Sequence, residues 1–499
     1  MGLLMEFTRE VYAFIEDYIE QLKQGSAAIF AGAGLSAGVG FVDWKGLLER
    51  PARRIGLDVQ KEDDLVTLAQ YIFNEDGSRQ PLTEVIRNNF ISSNKVNENH
   101  RILSSLPIKT YWTTNYDSLI EDSLIGYGKN PDVKKTLADL STIISMRDAV
   151  IYKMHGDIND ANNAVLIKDD YEVYETKNHL FTLNLKADLI SKTFLFIGFS
   201  FEDPNLEYIL SKVRILLEGN GRKHYCFLKK VNIKDFEKYQ NPGEEFKYAE
   251  LKQRLKCADL KRYCIHPVLV DEYEDITEIL RYIDRMYRRN NVLISGSADE
   301  FENFNIKLKG KDEMIQPLDF IHDLCREISK SGFKIVTGYG KGIGSAVING
   351  VLENVYQTNT RNLDDHIIIR PFPLYATKNV TNEEFNLVRE SYRKNLVEQA
   401  GITIFVLGNK TINGEVVVAD GVLKEFEESL AIGSKVIPIG LTGYASKELW
   451  EKVNTNFEEY YSEHRNLKAY FEILGDENSN NEDIINSVCS IIKDLREVF

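Results

Sequence analysis

Four short stretches of this 499-residue chain hold groups suited to chemistry. Thr114-Asn115-Tyr116-Asp117 sets an amide, which both donates and accepts, beside a carboxylate, and His155-Gly156 adds an imidazole that can take up a proton near neutral pH. Ala31-Gly32-Ala33-Gly34-Leu35-Ser36 is a run of small residues whose backbone can approach an anion closely, in the manner of a pyrophosphate cradle. Gly198-Phe199-Ser200 is the fourth. Each alone has a plainer reading as a tight turn, a helix cap or a structural histidine. Their common setting changes that.

Each stretch follows a strand-like run: Ala27 to Phe30, Ile108 to Thr113, Ala149 to Met154 and Phe194 to Phe199. Helical patterns lie between them, including Thr8 to Lys23, Trp44 to Ile55, Asp64 to Phe73, Gln80 to Asn89 and Leu180 to Ser191. Alternating strands and helices predict a doubly wound parallel sheet, whose ligand crevice lies at the carboxyl ends of its strands. The helix over Thr8 to Lys23 is expected to cover its own domain or a partner chain.

The length exceeds what one core usually supports, and the polar run Arg288-Arg289-Asn290-Asn291 marks a division into residues 1–288 and 289–499. The second part repeats the pattern, with strands at Val292 to Ser295, Phe333 to Thr337, Ile367 to Arg370, Ile402 to Leu407 and Val436 to Ile439. The fold class is therefore α/β with two Rossmann-like domains. Here Gly338-Tyr339-Gly340-Lys341-Gly342 and the helix start at Asp420-Gly421 form two loop-to-helix turns, with an irregular segment expected between Lys410 and Asp420.

A net charge of −15 excludes a general nucleic-acid-binding surface. The five cysteines form no C-x-x-C pair, so neither a four-thiolate metal site nor a disulfide framework is expected. No apolar stretch near a motif is long enough for a membrane span, and a cytoplasmic setting with no membrane partner is expected.

In their order, the four stretches resemble the NAD-binding set of the sirtuins. The paired C-x-x-C zinc module of sirtuin deacetylases is absent, and Phe41-Val42-Asp43-Trp44 replaces their Pro-Asp-Phe-Arg pattern, which points to the bacterial sirtuin-like NADases. The resemblance implies an NAD+ hydrolase without a metal, with Asn115 and His155 catalytic. Ala31, Gly32, Ala33, Gly34, Ser36, Asp43, Thr114, Asp117, Gly198 and Ser200 would bind NAD+, with Asp43 reading nearly as well as a solvated loop acid and Asp203 nearly as well as a helix-capping acid before Pro204.

The second part is similar to the SLOG superfamily, with Gly421 and Glu425 in its Gly-x-x-x-Glu helix start and Leu407-Gly408-Asn409 in place of Pro-Gly-Gly. That implies a sensor whose activator meets Ser297, Gly340, Gly342, Arg393, Lys410, Gly421 and Glu425, while Arg389 and Lys394 read as a solvated face. Both halves together resemble the effector family of the Thoeris antiphage defence system. In that family a TIR-domain partner makes a cyclic ADP-ribose isomer; the effector binds it, then depletes cellular NAD+ to ADP-ribose and nicotinamide in abortive infection. A homotetramer able to form filaments is implied. An NAD-dependent protein deacylase and a non-catalytic nucleotide sensor remain alternatives.

Overall fold

The computed structural model describes residues 7–38, 40–41, 43–90, 96–201, 203–358, 362–373 and 381–497. Val42, part of the departure from the sirtuin pattern, lies outside them. The chain divides into two compact units, Met1–Asp284 and Arg285–Phe499.

Seven strands form the first unit's sheet: β1 (Ala27–Ala31), β2 (Thr110–Thr113), β3 (Pro131–Lys134), β4 (Ala149–Lys153), β5 (Thr193–Ile197), β6 (His224–Lys229) and β7 (Ile265–Val270). All pair in parallel, in the order β3-β4-β2-β1-β5-β6-β7. The chain builds outward from β1 on one side and then crosses to β5 on the other, so the carboxyl end of β1 is a topological switch point. Because helices cover both faces, β1 and β5 are buried throughout and read as apolar runs, with Thr193 at the start of β5 the exception.

Thr8 caps the helix Arg9–Lys23 by accepting from the Val11 N–H. Its stripe of Phe14, Ile15, Tyr18 and Leu22 is buried, and the Tyr18 hydroxyl donates to Ala28 O at 3.2 Å. This helix therefore packs on its own unit. The helices Trp44–Arg54, Leu65–Asp76 and Gln80–Phe90 enclose a second apolar cluster. Leu48, Leu68, Ile72 and Leu82 meet there with Tyr116, the residue between Asn115 and Asp117. Packing thus anchors the loop after β2 from below. The edge strand β3 was not legible in the sequence: four residues with proline first carry too little apolar pattern.

The second unit's sheet has β8 (Asn291–Ser297), β9 (Lys334–Thr337), β10 (Ile367–Ile369), β11 (Ile402–Leu407) and β14 (Lys435–Pro438), all parallel, in the order β10-β9-β8-β11-β14. Between β11 and β14 the expected irregular segment is instead an antiparallel hairpin, β12 (Asn409–Ile412) and β13 (Glu415–Val418). Its turn is Asn413-Gly414, with φ of 54° and 87°. That pair is the residue choice a tight hairpin of this hand needs. Beyond β14, helices Tyr444–Thr455 and Asn481–Arg496 complete the core, the latter burying Ile484, Val488, Ile491, Ile492 and Leu495. Among the described residues no helix is long and apolar enough to cross a membrane.

Candidate active site

At the switch point the loops after β1 and β5 touch backbone to backbone. Gly32 N–H donates to Ile197 O at 3.0 Å, Gly34 N–H to Gly198 O at 2.9 Å, and Leu35 N–H to Gly32 O at 3.0 Å. A Cβ on Gly198, whose φ is +64°, would stand 2.1 Å from Leu35 N. These glycines serve contact between two loops, and three N–H groups expected to face an anion close onto protein carbonyls instead. Ala33 opens the short helix Ala33–Ala37, which carries Ser36 inward. Asn97 Nδ2 holds that helix by donating to Leu35 O at 2.7 Å, a tether that no sequence pattern announced.

The side chains after β2 join this helix. Asn115 Nδ2 donates to Gly32 O at 3.1 Å and to Ser36 Oγ at 3.2 Å. Ser36 Oγ in turn donates to Asp117 Oδ2 at 2.9 Å, and Asp117 Oδ1 accepts the Leu119 N–H at 3.0 Å. Asn115, Ser36 and Asp117 are all buried. Both amide hydrogens of Asn115 are engaged, so the side chain offers a ligand its carbonyl oxygen. Its backbone is fixed as well, Thr113 Oγ1 accepting the Asn115 N–H at 2.9 Å while donating to Ala31 O at 3.0 Å. Thr114 N–H reaches Ala31 O at 3.4 Å.

Below this chain lies a fully buried ammonium. Lys153 Nζ at the end of β4 meets Glu121 Oε1 at 3.0 Å, Asp157 Oδ2 at 2.6 Å and Tyr116 O at 3.3 Å, and also bonds Asp117 O. Burial lowers the Lys153 pKa, but Glu121 and Asp157 outweigh it and hold it above its ordinary value. Burial raises the Asp157 carboxyl; Lys153 and the Asn159 N–H more than reverse this and bring it to about 2. One buried cation thus ties the loop bearing Asn115 to the loop bearing His155.

His155 is buried, and its Nε2 stands 3.0 Å from Asp203 Oδ2, off the line of a straight hydrogen bond. The edges of Tyr171 and Tyr174 confine the ring at 5.6 and 6.5 Å between centroids. Asp203 also caps the helix Pro204–Leu216, accepting from the Leu206 N–H at 3.0 Å. Asp43 and Ser200 stand apart from these contacts: exposed Asp43 caps the helix Trp44–Arg54 through the Gly46 N–H at 2.8 Å, and exposed Ser200 accepts from Lys256 through its carbonyl.

In the second unit Gly340 and Gly342 press against β8 and its following loop. Added Cβ atoms there would lie 2.0 Å from Gly296 O and 2.1 Å from Ala298 O. Ser297 Oγ donates to Asn409 O at 3.1 Å, and buried Asn409 accepts from the Asp299 and Glu300 N–H groups. Arg393, buried, has Nε 3.9 Å from Glu425 Oε1, beyond hydrogen-bond reach, and lies over the Phe372 ring at 5.2 Å. Glu425 Oε2 accepts from Ser295 Oγ at 2.6 Å. Burial raises its carboxyl, only partly offset by Ser295 and Arg393. Gly421 lies beside the Arg393 guanidinium, where a Cβ would come within 3.7 Å of Nη2. Lys410 pairs with Asp420 at the same helix start, and Arg389 stacks on Phe372 and Phe385.

Residues 109–249 match the SIR2-like domain family, and residues 275–495 match STALD, the Sir2- and TIR-associating SLOG family. A protein of Cytobacillus dafuensis named NAD(+) hydrolase ThsA is 52% identical, over 97% of this chain and 96% of its own length. Proteins of the same name from Enterococcus faecium and Bacillus cereus (strain MSX-D12) are each 44% identical, covering 96% and 98% of this chain and 99% and 100% of their own. The chain belongs to the NAD(+) hydrolase ThsA family.

Within that family frame, the structure brings Asn115, Ser36, Asp117, Gly32 and Gly198 into one cluster and sets His155 beside Asp203. In the second unit it joins Arg393, Glu425 and Gly421. Lys153 was missed, because a lysine in a strand-like run looks like an edge residue until its acidic partners are placed. Asp203 was underweighted, because helix capping already accounts for an acid before Pro204.

Proposed function

We propose that this chain hydrolyses NAD+ to ADP-ribose and nicotinamide, as a defence effector switched on by a cyclic ADP-ribose isomer. The carrying observation is the buried chain Asn115–Ser36–Asp117 at the switch point, with His155 on the neighbouring strand end. NAD+ contains its own leaving group, a cationic nicotinamide. Cleavage therefore needs the ribose held as it becomes oxocarbenium-like and a water set on its opposite face. Asn115 Oδ1 holds that water or a ribose hydroxyl, and Asp117 orients the amide through Ser36. His155 takes the proton. Ala33, Gly34 and Thr114 form the dinucleotide-facing rim over fully buried Ala31, and Ser200 and Asp43 serve as outer contacts if the loops close on substrate.

The second unit receives the activator. Among the described residues Arg393 has no hydrogen-bonded partner at Nε, and such a guanidinium suits a phosphate. Lys410, Ser297, Gly340 and Gly342 line the approach, with Glu425 and Gly421 at the helix start. The isomer is supplied by a TIR-domain protein, the effector works as a homotetramer able to form filaments, and the outcome is abortive infection in the cytoplasm. The test is nicotinamide release by purified chain, without any peptide, with and without cyclic ADP-ribose isomers. An obligatory acyl-peptide would replace this reading with a deacylase.

A further inference from the structure

Asp203 has two loads, only one of which a helix cap needs. Its Oδ1 accepts the Leu206 N–H, while Oδ2 faces His155 Nε2 at 3.0 Å, with the aspartate side chain 9% and the histidine side chain 2% exposed. A carboxylate that is ionised only accepts, so the ring nitrogen facing it must carry the proton. Among the described residues both ring nitrogens are buried and neither makes a straight hydrogen bond, but only Nε2 faces a carboxylate; Nδ1 faces no charged group at contact. We propose that Asp203 is the positioning residue of the site: it fixes the proton of His155 on Nε2 and leaves Nδ1 as the atom that accepts a proton during NAD+ cleavage.

This rests on the proposed function and adds the atom that acts. A proton leaves the attacking water for Nδ1 as the water oxygen bonds to the ribose carbon. The bond from that carbon to nicotinamide breaks, and its electron pair departs with the nicotinamide. Asp203 stays ionised and faces the resulting imidazolium. Burial raises the Asp203 carboxyl, but His155 and the N–H groups of Leu206 and Asn205 outweigh it and hold it below its ordinary value.

Among the described residues, the remaining surroundings of His155 offer no competing counter-ion at contact. Tyr171 and Tyr174 present ring edges, and Tyr171 and Tyr116 feel Asp170, which is held by Arg79 at 2.8 Å. On its own strand end, Lys153 pairs with both Asp157 and Glu121, and Lys135 adds a second cation to Asp157 at 3.1 Å.

Asp203→Asn separates the two loads, because asparagine caps a helix as well as aspartate but offers an amide donor to Nε2, pushing the ring proton to Nδ1. The 15N spectrum of histidine-labelled full-length chain, with His155 assigned by its loss in His155→Gln, should show Nε2 protonated and Nδ1 bare at neutral pH. In Asp203→Asn the tautomer should shift, kcat for nicotinamide release should fall about 10²-fold with KM for NAD+ unchanged, and the acid limb of the remaining activity should move to lower pH. Its thermal midpoint should match the parent, whereas Asp203→Ala should lower it. Nδ1 protonated in the parent, or parental kcat and pH profile in Asp203→Asn, would overturn the proposal. If the parent released no nicotinamide under any condition, the proposed function would fall, and the tautomer spectrum alone would still decide the Asp203–His155 pair.

Discussion

The two units use one device and then part company. Both bring a glycine-rich loop against the end of a neighbouring strand so closely that a single Cβ would overlap backbone, at Gly198 in one and Gly340 in the other. In the first unit the groups that position the site are satisfied, leaving the Asn115 carbonyl and the His155 ring for a ligand: Asn115, Ser36 and Asp117 hydrogen-bond in series over a buried lysine held by two carboxylates. In the second unit Arg393 lies on a ring and 3.9 Å from Glu425, and Lys410 pairs with exposed Asp420. A satisfied constellation is fixed before its ligand arrives, as a reacting centre requires. A cation with spare donors gains most from a ligand that brings phosphate, as a sensor requires.

That contrast breaks first at the reacting side chains. Asn115→Ala and His155→Ala should each reduce nicotinamide release by roughly 10²-fold or more while leaving the circular dichroism spectrum unchanged. Retained turnover in either would remove the first unit's cluster from the chemistry. Next in size is Lys153→Met, which leaves Glu121 buried without its cation and Asp157 with only half-exposed Lys135 at 3.1 Å, and should cost about 3–5 kcal/mol in a urea titration. A midpoint equal to the parent's would show that the network is not what fixes the two loops.

Arg393→Ala should raise the activator concentration for half-maximal turnover by about 10-fold or more, the loss of one charge-assisted contact, without altering turnover at saturating activator. Acid titration sharpens the comparison further. Asp157 is held at about 2, below the ordinary value of about 3.9, so the stability it contributes is present above that ordinary value and is lost as pH falls toward 2. The acid unfolding of Asp157→Asn, followed by tryptophan fluorescence, should be shallower over this window than the parent's. The smallest effect belongs to Asp43→Ala, which should lose about 1 kcal/mol of helix capping.

Much of the fold was legible because its strands are buried on both faces. Ile402–Leu407 stands where its apolar run puts it, and all four chemistry-bearing stretches lie at strand ends. What escaped was set by partners distant in sequence. Ser36 meets Asp117 across 81 residues and Lys153 meets Glu121 across 32, and neither distance leaves a local pattern. The hairpin at Asn413-Gly414 is different: its turn signal was present, and Glu415–Val418 carries three valines, but its partner Asn409–Ile412 is polar and both flanks are only four residues long. Asn97 and Asp203 were hidden by ordinary capping roles that they do perform.

The most direct measurement supplies purified chain with NAD+ alone, then with each cyclic ADP-ribose isomer in turn, and follows nicotinamide by chromatography. The account predicts release that needs no peptide, rises sharply with at least one isomer, and vanishes in Asn115→Ala. NAD+ left intact under every isomer, by a folded chain carrying both Asn115 and His155, would contradict it.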